Sequence, residues 1–422
     1  MFLEYSIISI DFIFLENISY LATIGVGSLV SLIYMIQRII VLFVQSLVDN
    51  SLYKYTQINN NYKYSLLFGF VFSIVLSIII SLIFFSSKEF ILSFFKINPN
   101  AKFYALQYID YMILFLIIFS IQQYFHYILY SLKLAKLNLI IMIYMVALNF
   151  IFNYISFYIL KIGVVGIAIA SNLALLFTLP IYIYIIVKKK MWFFKISALS
   201  YKYFNNSIVG IKNIGFASII EPILVQGVDV VIKILIVSFV AQEALSARVH
   251  SSNYFTLALS FSVALGICLQ MLFSKLLGKH NIKIVDKIYK KSLIFGLMFV
   301  IILSVVVYVL VYMNSNIITK NIQVKDYILF LCAFAVILEP IRMLSIASKS
   351  YLKGMQKGNI VVIITFAIKL CVVYPLIYIF LTKFSMGLYA IVLAELINYM
   401  LNFICYSASV MFYKKRFLTY KY

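Results

Sequence analysis

The chain has 422 residues, 65% of them hydrophobic and 11% charged, with mean hydropathy +1.06 and formal net charge +22. Soluble domains average about 45–50% apolar and about 25% charged residues, so this composition holds too little polar material to cover a water-facing surface. The Lys and Arg residues fall in short gaps between apolar runs, which suits anionic lipid and topology signals and excludes the basic stripe that nucleic acid requires.

Apolar runs near 20 residues suffice to cross about 30 Å of hydrocarbon. In chain order they fall at 1–17, 20–47, 64–86, 104–132, 137–160, 163–187, 209–240, 244–275, 292–314, 326–352, 359–382 and 385–412. Each is read as helix, because an open strand would leave backbone groups unpaired in lipid. The expectation is an all-α integral membrane protein of about twelve spans in two pseudo-symmetric six-helix bundles. An N-terminal lobe covers 1–190, a cytoplasmic linker 191–208 and a C-terminal lobe 209–422. The first apolar stretch has no basic region before it, so no cleavable leader is expected. The segment from Lys88 to Lys102 reads as an interfacial amphipathic turn or short helix.

Loop charge sets the orientation. Gaps after even-numbered spans, with the C-terminal tail, carry 21 Lys and Arg residues, against 7 after odd-numbered spans. Both termini are therefore expected on the cytoplasmic side. An internal repeat supports two halves: Tyr62–Ser77 (YKYSLLFGFVFSIVLS) matches Tyr289–Ser304 (YKKSLIFGLMFVIILS) at 10 of 16 positions. A second correspondence pairs Lys136 with Lys357, Asn138 with Asn359 and Gly166 with Gly387. Two such halves are a transporter architecture.

Catalytic and metal-binding signals are missing. Cys268, Cys332, Cys371 and Cys405 lie in apolar runs without CxxC spacing and read as small buried hydrophobes. His126, His250 and His280 belong to no HExxH-type motif. Pro180, Pro222, Pro340 and Pro375 lie inside predicted spans, where each removes a helix hydrogen bond.

Leu148–Ser171 reads LNFIFNYISFYILKIGVVGIAIAS. It resembles the LNxxxD run, turn and GVxGAAxAT of the multidrug and toxin extrusion (MATE) family, and Asn153, Gly163 and Gly166 fit that spacing without a gap. Ala244–Gly266 (ALSARVHSSNYFTLALSFSVALG) and Leu352-Lys353-Gly354, similar to the family's LRG, extend the resemblance over essentially the whole chain. It implies alternating-access export of amphipathic organic compounds, coupled to Na+ or H+, by a multidrug antiporter in the cell inner membrane. No resident cofactor is implied, the coupling ion being transported. The expected partners are a small-molecule substrate and membrane lipid, with no nucleic acid and a monomeric state.

The family's cation site, carried onto this chain, falls on Asp11, Asn149, Asn153 and Ser171, where Asn153 replaces an Asp and Ser171 a Thr. Asn149 and Asn153, four residues apart, share a helix face. Amide carbonyls, a hydroxyl and one carboxylate make a hard oxygen set suited to a small cation, or to a titrating acid. In the second half, Gln226 and Arg342 stand where some members place carboxylates, with Asp229 and Glu339 one turn away. These four are candidates to line a cavity, although Asp229 with Lys233 and Glu339 with Arg342 read first as local ion pairs. Family members have further residues before the Asp, so a shortened first helix is expected. The alternative within the wider multidrug/oligosaccharidyl-lipid/polysaccharide exporter superfamily is a flippase for lipid-linked oligosaccharide or polysaccharide precursors. Such flippases line their cavity with cations, and Arg38, Arg248, Arg342 and Lys233 are available. A membrane enzyme would need a polar loop with paired acids, which the short Lys-rich loops do not offer.

Overall fold

The computed structural model describes residues 2–53, 62–189, 191, 193, 216–278 and 282–419. Among these there are twelve helices and no strand. They are α1 (Phe2–Ile18), α2 (Tyr20–Tyr53), α3 (Tyr62–Ser93), α4 (Pro99–Ser131), α5 (Ala135–Ile159) and α6 (Val164–Lys188). The second six are α7 (Phe216–Phe239), α8 (Gln242–Gly278), α9 (Ile282–Ile318), α10 (Ile322–Gly354), α11 (Gly358–Thr382) and α12 (Leu388–Thr419). Ten of the twelve are long and apolar enough to cross a membrane. The chain divides into two compact units, Leu3–Val230 and Val231–Tyr422, the second also taking in Phe2, and the division along the chain falls inside α7. Apart from Met191 and Phe193, the predicted linker 191–208 lies outside the described residues, as does His280.

In the first unit α4 is central, packing on α2, α3, α5 and α6. Contact between α2 and α4 is close at Gly25, where a Cβ would stand 2.1 Å from the Ala101 carbonyl oxygen. In the second unit α10 holds the same place, packed on α8, α9, α11 and α12. Its core gathers Phe273, Val300, Met343, Tyr351 and Tyr406.

The repeat is visible inside each unit. Its two copies fall on α3 and α9, the third helix of each six. Gly69 on α3 presses against Tyr124 of α4, and Gly296 on α9 presses against Met343 of α10. The turn before the fifth helix has positive φ at Lys133 (61°) and at Gln356 (60°). The turn before the sixth has it at Lys161 and Gly163, then at Ser385 and Gly387. This corrects one pairing: Gly387 corresponds to Gly163, both in left-handed backbone, whereas Gly166 lies within α6. At Gly166 a Cβ would stand 3.0 Å from Ser156 and Ile162, so its role is close packing. Both fifth helices also contain a π-type stretch, at Ile155–Ile159 and at Lys369–Val373. Pro375 follows the second stretch directly.

Two further expectations change in part. Of the two forms expected for Lys88–Lys102 the turn is present and the separate short helix is not: α3 runs on to Ser93, a turn follows, and α4 starts at Pro99, capped by the Asn98 side chain accepting from Asn100 N at 2.9 Å. Proline at the first helical position and asparagine before it make a strong start signal. Of the cysteines, only Cys332 is buried; Cys405 is half-buried, and Cys268 and Cys371 are exposed.

Candidate functional site

Asp11 lies on α1 with no exposed surface, and Asn149, Asn153 and Ser171 are equally buried. The four come together. Asn153 Nδ2 donates to Asp11 Oδ1 at 2.8 Å, and Asn149 Nδ2 reaches the same oxygen at 3.3 Å. Ser171 Oγ lies 2.7 Å from Oδ2 and 3.0 Å from Oδ1, and accepts from Asn149 Nδ2 at 3.0 Å. One donor was not foreseen: Tyr108 OH, on α4, donates to Asp11 Oδ2 at 2.7 Å. It is one of 34 tyrosines, and no local pattern separates it from the others.

The local folding explains the arrangement. Asn149 and Asn153 sit four apart on regular α5, so both amides point the same way. Immediately beyond, the helix widens into its π stretch, closed by Leu160 N donating to Ile155 O at 2.9 Å. The chain then reverses through left-handed Lys161 and Gly163 into α6, which brings Ser171 alongside the amides. Asp11 therefore faces four neutral donors from three helices, and its partners include no cation among the described residues. The Asn153 carbonyl oxygen is buried in this cluster without a hydrogen-bond partner.

A second, neutral network lies further along the same unit. Gln123 Nε2 donates to Gln122 Oε1 at 2.9 Å, Gln122 Nε2 reaches Tyr182 OH at 3.4 Å, and Tyr182 OH donates to Asn138 Oδ1 at 2.9 Å. Gln122 stands fourteen residues after Tyr108 on α4, or about 21 Å at about 1.5 Å per residue.

The remaining sequence candidates divide between the units. Gln226 is half-buried on α7. Asp229 accepts from Ser31 Oγ at 2.5 Å. Both belong to the first unit. In the second unit Glu339, only 4% exposed, pairs with Arg342 at 3.1 Å, as the spacing implied, and its Oε2 has no partner. The Arg342 guanidinium also lies over the Tyr399 ring, 5.3 Å from its centre. An unforeseen pair stands beside it: Arg248 grips Glu395 with both terminal nitrogens, at 2.8 and 2.5 Å. The repeat holds the signal for Glu395. It is the eighth residue of α12, as Ser171 is of α6. Asp110, on α4, is ion-paired with Lys88, Lys233 is buried and Arg38 half-buried. The side chain of Glu221 is outside the described residues.

Among solved structures, the chain is similar to an inward-facing multidrug resistance MATE family transporter of the MOP superfamily, with TM-score 0.80 and 14% identity over 99% of this chain and 95% of that one. An outward-facing structure of such a transporter gives TM-score 0.71 and 14% identity over 100% and 94%. A MOP superfamily transporter from Pyrococcus furiosus, described as having a binding pocket of reverse polarity, gives 0.62 and 16% over 99% and 96%. No curated protein sequence matches the chain. The MatE family model matches residues 59–155 and 217–379, more than half of the chain. With its membrane-length helices, the chain belongs to the MatE family, as a multi-pass membrane transporter and not an enzyme.

Proposed function

We propose that this protein exports amphipathic organic compounds from the cytoplasm by alternating access, in antiport with Na+ or H+, and that Asp11 is the coupling acid. The observation that carries this reading is the environment of Asp11: complete burial, four neutral donors and no counter-charge among its partners. An acid at mid-bilayer costs about 2.5–3.5 kcal/mol on insertion scales. Hydrogen bonds to a charged group contribute about 1.5–3 kcal/mol each. The donors therefore offset part of the cost of an ionised, ion-free Asp11, and burial still favours its neutralised form.

Loading a cation reverses the preference for donors. Once a proton or Na+ neutralises the carboxylate, donors are no longer needed there and acceptors are favoured. Asn153 is suited to the exchange, because its amide turns about a soft torsion and its oxygen has no partner to lose. For Na+ the Asp11 carboxylate, the Asn149 and Asn153 carbonyls and Ser171 Oγ supply hard oxygen ligands. For H+ Asp11 alone suffices. In this reading the protein works as a monomer in the cytoplasmic membrane with both termini inside, binds no nucleic acid and needs no resident cofactor.

The alternative reading is a flippase for lipid-linked oligosaccharide or polysaccharide precursors. A cavity for a lipid-linked glycan phosphate wants unpaired cations, whereas Arg248 and Arg342 are paired with Glu395 and Glu339. The deciding experiment is dye efflux in inverted vesicles, with sodium and pH gradients varied independently. Asp11→Asn is expected to abolish gradient-driven efflux at normal expression. Undiminished efflux by that variant would remove Asp11 as the coupling acid, and translocation of a lipid-linked glycan by the wild type would favour the flippase.

A further inference from the structure

Helix α9 has 37 residues, about 55 Å at about 1.5 Å per residue, against a hydrocarbon core of about 30 Å. It begins ten residues before the apolar run expected from 292, so Lys283, Lys287, Lys290 and Lys291 are helical and not loop residues. All four are exposed. At about 100° per residue they fall within one arc of about 100° on the helix surface. The same arc continues through Ile294, Met298, Ile301 and Val305, which are 63%, 60%, 41% and 43% exposed. Such exposure of large apolar side chains along a membrane-length helix marks a lipid-facing stripe. The lysines therefore stand on the lipid side of α9, one to three turns before the acyl-chain zone.

Their charge is not spent within the protein. None of the four has an ion pair or hydrogen bond among the described residues. The only acid in this part of α9, Asp286, lies outside the arc and is taken by Tyr351 OH at 3.0 Å and by Lys414. A row of ammonium groups at headgroup depth, above an apolar stripe, matches the two parts of an anionic phospholipid.

We infer that the first turns of α9 form a binding site for anionic phospholipid headgroups, with Lys283, Lys287, Lys290 and Lys291 as the phosphate contacts. This goes beyond the transport reading and is independent of it, since it concerns the lipid-facing surface and not the Asp11 cluster.

The test compares the full-length protein in vesicles of phosphatidylcholine alone and of equal phosphatidylcholine and phosphatidylglycerol. Spin-labelled phosphatidylglycerol and phosphatidylcholine report which lipid is motionally restricted at the protein surface. A lysine near an anionic surface is worth about a fivefold preference. Changing all four to Gln is expected to lower the preference for phosphatidylglycerol roughly tenfold or more at the sites lost, while changing all four to Arg preserves it. Wild-type melting in phosphatidylcholine alone should be shared by both variants, which separates a binding defect from misfolding. The inference is overturned if the Gln variant keeps the wild-type selectivity, or if Gln and Arg variants lose it equally.

Discussion

Replacing Glu395 by Gln tests whether the second unit is neutralised from within. The substitution keeps the side-chain volume but removes the charge and turns one acceptor into a donor facing the Arg248 guanidinium. The pair is bidentate, with side chains 12% and 15% exposed. Removing one partner of a buried pair costs about 3–5 kcal/mol; residual exposure and the electrostatic coupling of Glu339 to Arg248 place the expected loss near about 3 kcal/mol. For a unit of this size, at about 2–4 °C per kcal/mol, that lowers the melting midpoint by roughly 6–12 °C. The assay is survival of monodisperse protein after heating in detergent. Replacing both partners, as Arg248→Met with Glu395→Leu, should recover most of the loss, because a buried pair exchanged for packed apolar groups is often close to neutral. Wild-type melting of Glu395→Gln would refute the reasoning, as would a double variant weaker than the single one.

Two further substitutions address the first unit. Tyr108→Phe removes a donor that competes with the ion for the empty Asp11 carboxylate. The half-saturating concentration of the driving ion is expected to fall about tenfold, measured as efflux rate against Na+ or H+ concentration; a rise would contradict the donor role. Gly25→Ala places a Cβ 2.1 Å from backbone oxygen of Ala101 and forces α2 from α4. Overpacking of this kind costs about 1–3 kcal/mol, whereas Gly227→Ala meets nothing within 4 Å and should melt as wild type. Equal melting of the two alanine variants would show that the helices adjust freely.

Much of the architecture is legible in the residues. Twelve helices follow from apolar runs that tolerate no other backbone in lipid, and the halves follow from a repeat whose glycines press on corresponding fourth helices. Asn149 and Asn153 share a face at any helix rotation, because their spacing is local. The start of α9 was not legible in the same way. Its lysines break the apolar run, so composition ends the span at 292 while the helix continues through them.

The sequence by itself determined that this chain is helical, bilayer-embedded and asymmetric in loop charge, because those properties depend on composition and on neighbours a few residues apart. Only the tertiary structure decided which polar groups meet. Asp11 joins Tyr108 from 97 residues away, and Arg248 joins Glu395 from 147. Helices that are apolar nearly all round carry little periodic signal to fix their rotation. Their facing is therefore set by where buried donors and acceptors find one another once packed.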